Sequence, residues 1–182
     1  MPEISVIIPT YNRFEMLERA LNSVLSQNFK DYEIIVIDDA SADNINERMH
    51  SGFEAEIEKG VIRYTRNEKN QGRSACRNTG IKLAQAGLIA FLDNNSEWLP
   101  DHLVNLYNFM HQHQDNGIAF SNELLPVKYY GGVERVIVWL LEALQKMGHK
   151  NYLLAPEGSA SPFAKVITIK IEKSFITRCV EE

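Results

Sequence analysis

Asp93 and Asn95, with Asn94 between them, follow directly on the apolar run 88–92. A carboxylate and a side-chain amide oxygen two positions apart can hold a hard divalent cation through oxygen. The same pair can instead cap the next helix or close an Asx turn. Two further polar clusters follow apolar runs in the same way, Pro9-Thr10-Tyr11-Asn12-Arg13 and Asp38-Asp39-Ala40-Ser41. A polar loop over 67–72 then leads into Arg73 and Arg77. Together these side chains suit a nucleoside diphosphate. Tyr11 offers a ring face, Asp39 can accept from a base N–H or a ribose hydroxyl, and Arg73 or Arg77 can pair with phosphate. Asp93 can hold a divalent ion across the diphosphate. Singly each has a plainer reading: Tyr11 as a packed surface aromatic, Asp39 as a turn residue, Arg77 as a solvated helix charge.

The elements that must position these groups are short. Residues 4–8 and 33–37 read as strands, the first broken by Pro9, and 61–64 as a shorter third. The run 88–92 has no alternation, which predicts a central parallel strand covered on both faces. Asn12 can cap a helix with Glu15 three residues on, as in a capping box. Phe14, Leu17, Leu21, Val24 and Leu25 fall on one face of that helix. A second helix is predicted over 73–85. A third is entered through Trp98-Leu99-Pro100, with Leu99, Leu103, Leu106, Tyr107 and Met110 on one side, and 118–121 reads as one more strand. Strands alternating with helices give a layered α/β sheet. Ligands bind such sheets beyond the carboxyl ends of their strands, where all three polar clusters would meet.

Composition narrows the function classes. A chain of 182 residues, 45% hydrophobic, holds one domain or slightly more with a real core. Its net charge of −5 argues against a general nucleic-acid binder. Cys76 and Cys179 have no metal or redox spacing and read as free thiols of a reducing compartment. Met1-Pro2-Glu3 has no basic region, so no signal peptide is expected. The apolar run 136–141 is far short of the roughly 20 residues a membrane span needs. The expectation is a cytoplasmic protein with no transmembrane segment, compatible with a peripheral membrane position. No P-loop, G-x-S-x-G or H-E-x-x-H pattern occurs. His111-Gln112-His113 reads as solvated charge at a helix end rather than a metal site.

Four segments, taken in order, carry a resemblance: I-S-V-I-I-P-T-Y-N-R, E-I-I-V-I-D-D-A-S-A-D, N-x-G-x-x-x-x-R-N-x-G-I from Asn70 to Ile81, and I-A-F-L-D-N-N-S-E-W-L-P. Over residues 3–122 the chain resembles the family 2 glycosyltransferases of the GT-A fold. The resemblance implies a Rossmann-like, mostly parallel layered sheet with helices on both faces. It also implies an NDP-sugar donor, most often a UDP-sugar, used with Mn2+ or Mg2+. The sugar would pass to an acceptor hydroxyl with inversion, a base deprotonating the acceptor and the metal stabilising the departing diphosphate. The implied nucleotide-sugar set is Pro9, Thr10, Tyr11, Asn12, Asp38, Asp39, Gly72, Arg73, Arg77 and Asp93. Asp93 and Asn95 fall on the family's D-x-D metal motif, and the acceptor, a saccharide or a lipid-linked one, is unspecified.

Two departures from the family pattern weaken the expectation. Asn95 stands where the motif has its second acid, which removes one negative charge and lowers the expected metal affinity. The family's base, often in a later E-D pair, has no clear counterpart; Glu181 and Glu182 are the nearest candidates, and the catalytic residue is unassigned. The stretch 130–159 resembles instead the start of a GT-B, family 4 glycosyltransferase: a glycine loop, an amphipathic helix with Val133, Ile137, Leu140, Leu141 and Leu144 on one face, G-H, then a strand. Residues 165–171 alternate as one more strand. The chain therefore divides into a nucleotide-sugar-binding part, 1–123, and a C-terminal αβ segment, 124–182. A glycosyltransferase is the leading reading. The alternative is a catalytically weak or silent nucleotide-binding or structural hybrid.

Overall fold

The computed structural model describes residues 1–112, 142–143, 145–147, 152–156 and 165–169. The chain forms two compact units, Met1–Val104 and Asn105–Glu182. The boundary between these units falls inside a helix. The sequence-predicted strand at 118–121, most of the helix before Met147, and Cys179, Glu181 and Glu182 lie outside the described residues.

The first unit is an α/β layer built on β1 (Ile4–Thr10) and β2 (Tyr32–Asp38). Every residue of both strands is buried. Continuous Ile/Val runs of this kind are what a parallel strand covered on both faces requires. They pair in parallel register, Ile4 opposite Tyr32 through Thr10 opposite Asp38. β3 (Ile62–Arg66) adds to β2 and β4 (Leu88–Phe91) to β1, both in parallel, giving the order β3-β2-β1-β4.

This order corrects the expectation that 88–92 is the central strand. Among the described residues β4 is an edge, and its Ile89 and Phe91 are 39% and 46% exposed. An unalternating apolar run looks the same whether one face or both are covered, so periodicity could not separate the two. A second correction concerns Pro9, which lies within β1 rather than ending it. The Ile7 carbonyl accepts from Leu92 N–H, so alternate residues of β1 face the β4 side. Pro9 faces that side two residues further on, past the last paired residue of β4. Its missing N–H costs no ladder bond there.

Four helices connect the strands of this sheet. α1 (Phe14–Leu25) buries Phe14, Leu17, Leu21 and Val24 as its apolar face requires. It does not begin with a capping box: Arg13 is its N-cap, with no side-chain cap bond, and Glu15 pairs outward with Arg48 at 2.7 Å. α2 (Ile45–Gly52) and α3 (Glu54–Glu58) lead from β2 to β3. Neither was anticipated, since α2 carries only Ile45 and Met49 as buried residues. α4 (Arg73–Leu83) is polar almost throughout and buries only Cys76 and Gly80. Two small residues one turn apart let it lie close on the sheet, where Cys76 packs with Ile35 and Ile37.

The turn from α4 to β4 is tied to the amino ends of the strands. Buried Glu33 accepts from Ser5 Oγ at 2.7 Å, Gln85 N–H at 2.7 Å and Arg63 at 3.0 Å, and Ala86 N–H donates to Ser5 Oγ. Burial pushes the Glu33 carboxyl up, but the bonds from Ser5, Gln85 and Arg63 outweigh it and hold the group below its usual value.

α5 (His102–Gln112) starts later than Leu99, which is 42% exposed. Leu103 is buried, and its N–H donates to Gln27 Oε1. The second unit contains a parallel pair, β5 (Tyr152–Pro156) and β6 (Lys165–Ile169), with Tyr152 opposite Lys165. Strands were expected at both places. No helix among the described residues is long and apolar enough to cross a membrane.

Candidate functional site

The carboxyl ends of β1, β2 and β4 do converge, and β3 joins them. Asp39 N–H donates to the Thr10 carbonyl and Asn67 N–H to the Asp38 carbonyl, so the ladder continues past the strand ends. Asn94 Nδ2 donates to Thr10 Oγ1 at 3.1 Å, which fastens the β4 end to β1. Between these ends lies a cleft of about 250 Å³ lined by Pro9, Thr10, Tyr11, Arg13, Asp39, Asn70, Gly72, Arg73, Cys76 and Asn94. Ligand pockets commonly span ~300–1,000 Å³. The cleft is therefore at the small end of ligand pockets, and a larger ligand would extend beyond it.

Six of the predicted residues line it: Pro9, Thr10, Tyr11, Asp39, Gly72 and Arg73. Tyr11 is 47% exposed and presents a ring at the rim. Asp39 is buried and accepts three N–H groups, from Asn67 Nδ2 at 2.8 Å, Gln71 N at 2.9 Å and Gly72 N at 2.8 Å. Burial alone would raise its carboxyl pKa; the donors from Gln71, Asn67 and Gly72 hold it below the usual carboxylate value. Asp39 thus gathers the 67–72 loop against β2 and sets where α4 begins. Gly72, at φ +86°, makes the turn into that helix. Cys76 lies beneath the cleft, and burial together with Asp39 pushes its thiol up to about 12. It is a packing group rather than a nucleophile.

The other predicted residues stand elsewhere. Asp38 is fully buried and structural: it accepts from Ser41 N–H at 3.0 Å, from the Ser41 hydroxyl, and from Tyr64 Oη at 2.7 Å. Burial and Asp38 raise the Tyr64 hydroxyl pKa strongly. Asn12 does not cap α1. Its N–H donates to Ser41 Oγ and its Oδ1 accepts from Ala42 N–H at 2.6 Å, clasping the loops after β1 and β2. Asn12 at φ 51° and Ala40 at φ 63° hold left-handed backbone in those two loops. Such a conformation costs about 1–3 kcal/mol at a non-glycine residue.

Asp93 sits outside the cleft with a partly exposed carboxylate. Arg77 reaches it at 2.6 Å and Arg73 at 3.4 Å. Asn94 is buried while Asn95 is exposed, so the alternation of β4 runs on past its end. Among the described residues no three His, Cys, Asp or Glu side chains come together as a ready metal cage. The donor set at this strand end is one carboxylate and one amide, both hard oxygen donors of the type magnesium or manganese takes. It fits such an ion at reduced charge, with ligand oxygens completing the shell.

Arg13, Asn70, Cys76 and Asn94 line the cleft but were not among the predicted residues. Asn94 was legible: continuing the period of two from Leu92 places it inward, opposite to Asp93 and Asn95. Arg13 and Asn70 belong to polar stretches already singled out. Cys76 had no chemical signal at all.

A four-stranded parallel sheet with a polar cleft at its carboxyl edge and an arginine opening the following helix has the layout in which α/β proteins bind ligands. The family model for glycosyl transferase family 2 matches residues 5–136, and the chain belongs to that family. The match takes in the opening of the 130–159 stretch. Poly(ribitol-phosphate) beta-N-acetylglucosaminyltransferase TarP of Staphylococcus aureus is 40% identical over 137 residues, 74% of this chain and 38% of TarP. GalNAc(5)-diNAcBac-PP-undecaprenol beta-1,3-glucosyltransferase of Campylobacter jejuni is 37% identical over 58% of this chain and 34% of its own length. Among solved structures, S. aureus TarS 1-349 in complex with UDP-GlcNAc superposes with TM-score 0.58 at 25% identity, covering 72% of this chain and 37% of TarS 1-349. The fold is that of a GT-A glycosyltransferase, and the chain spans less than half the length of these relatives.

Proposed function

We propose that the cleft binds a UDP-sugar and that the chain serves an inverting hexosyl transfer to a saccharide or lipid-linked acceptor. The observation that carries this is the placement of Thr10, Tyr11, Asp39 and Arg73 around one cleft at the sheet edge. The UDP-GlcNAc complex of TarS supports the choice of donor. Tyr11 offers a stacking face, buried Asp39 an acceptor beside the base, and Arg73 a charge for the diphosphate. A divalent cation held by Asp93 and Asn95 would supply charge stabilisation at the leaving diphosphate. The acceptor names of the relatives, a poly(ribitol-phosphate) and an undecaprenol-linked saccharide, support a saccharide or lipid-linked acceptor.

The base that deprotonates the acceptor is sought after Ser121. Among the described residues Asp39 is the one carboxylate lining the cleft, and its oxygens already hold three N–H groups. That same observation favours a second reading, in which this stretch alone binds donor and hydrolyses it slowly. General-base catalysis contributes about 10²–10⁴-fold, so its loss leaves slow transfer to water.

Thermal unfolding with UDP-, GDP- and dTDP-sugars, with and without manganese, tests the donor. UDP at a hundred times its Kd should stabilise by about 2.7 kcal/mol; no shift with any of the nucleotides would remove the reading. Manganese should couple less strongly to UDP binding in the natural protein than in Asn95→Asp, which restores the second acid. Titrating UDP at several manganese concentrations measures it, and equal coupling in both proteins would dismiss Asn95 as a ligand.

A further inference from the structure

The ion pairs around Asp93 have a consequence for how donor enters. Its carboxylate takes Arg77 Nη2 at 2.6 Å on one oxygen and Arg73 Nη1 at 3.4 Å on the other. These are the two guanidinium groups at the start of α4 that a diphosphate would use. The Arg77 contact is single-pointed: Nε of the same guanidinium is buried and has no partner among the described residues. Arginine is strongest when it meets an oxyanion through two parallel N–H groups, so Asp93 satisfies Arg77 only in part. Phe91, on the edge strand β4, lies under the Arg77 guanidinium with 5.8 Å from carbon to ring centroid, and limits where it can turn.

We infer that Asp93 is an internal anion, bridging Arg73 and Arg77 in the free protein and competing with the donor diphosphate for them. The inference rests on the donor reading above. Once a divalent cation engages the Asp93 carboxylate, that carboxylate can no longer neutralise the two arginines, and both become available to phosphate oxygens. Asp93 then acts with opposite sign in two conditions. Without metal it opposes the diphosphate; with metal it helps to hold it. A residue that only ligated metal would have no effect in the first condition, and a purely structural ion pair would have none in either.

The experiment measures UDP and uridine affinity by calorimetry in the full chain, in EDTA and in saturating manganese, for wild type, Asp93→Asn, Arg77→Gln and the double variant. Asparagine keeps the shape of aspartate, so the fold should tolerate it; circular dichroism of each variant verifies this. In EDTA, Asp93→Asn is expected to tighten UDP by about 3- to 10-fold and leave uridine unchanged. The upper part of that range exceeds an exposed ion pair alone, because the substitution also removes a negative charge from beside both arginines. The gain should shrink in the Arg77→Gln background, where only the longer Arg73 pair is left to release. In manganese the order should reverse, with Asp93→Asn binding UDP more weakly than wild type. Weaker or unchanged UDP binding of Asp93→Asn in EDTA would overturn the inference, and so would a gain that is undiminished by Arg77→Gln or appears equally with uridine. Wild-type protein that binds UDP in neither condition would overturn the donor reading itself.

Discussion

An Asp39→Ala protein should bind UDP roughly 5- to 150-fold more weakly than the natural one, a loss of about 1–3 kcal/mol. The effect has two sources. The carboxylate faces the cleft, where it can accept from the nucleoside. It also accepts from Asn67 Nδ2, Gln71 N–H and Gly72 N–H, which fixes the loop that delivers Arg73. Removing it leaves three donors to find water and lets the start of α4 drift. Hydrogen bonds to a charged group are worth about 1.5–3 kcal/mol each when buried, but these donors lie near the surface, so the fold itself should lose only about 1–3 kcal/mol. Asp39→Asn separates the two sources. It keeps one acceptor oxygen, so it should restore most of the stability while leaving UDP binding weak. Calorimetric UDP titration beside a urea unfolding curve provides both readings. Unchanged UDP affinity in Asp39→Ala would take this residue out of the site.

Much of this arrangement was legible in the residues because polarity changes abruptly at each strand end. Apolar runs set β1 and β2, and the polar clusters after them had to emerge at one edge of a parallel sheet. What could not be read was which acid at the end of β2 faces the cleft, because that strand is buried on both faces and its period of two marks no outer side. Asp38 and Asp39 are chemically identical neighbours, yet the left-handed backbone at Ala40 accompanies one turned into the Ser41 and Tyr64 network and the other toward the cleft. Asn12 looked like a helix cap because a cap and a loop clasp use the same side-chain oxygen; here it meets Ala42 N–H rather than the start of α1. The central position expected of β4 failed for a different reason. Order within a sheet depends on which strands find partners, and a four-residue apolar run carries no record of that. α2 escaped notice because Ile45 and Met49 alone are too sparse a pattern to separate from a loop.

The same dependence on packing makes Gly80 a further determinant of the site, and Gly80→Val should destabilise the protein by about 3 kcal/mol. Gly80 is buried on the face of α4 that meets the sheet. A Cβ built there would lie 2.4 Å from Ile7 Cγ2 and 3.1 Å from both Cγ1 and Cδ1. Ile7 is wholly buried in β1, and a β-branched side chain has little freedom at χ1 to retreat. Glycine in a helix interior costs about 1 kcal/mol relative to alanine, so a larger residue would be favoured here if space allowed it. It does not: overpacking of a filled core costs about 1–3 kcal/mol, occasionally more. Relief can come only from α4 moving off the sheet, which carries Arg73 away from the cleft it lines. UDP affinity should therefore fall together with stability. Truncating the opposing side chain tests whether this contact is the cause. Ile7→Ala alone should cost about 2–5 kcal/mol through the cavity it opens, but combined with Gly80→Val the valine can occupy that space. The double variant should then be more stable than the sum of the two single losses by at least about 1 kcal/mol. Strict additivity in urea unfolding would show that α4 is held off the sheet by something other than Ile7.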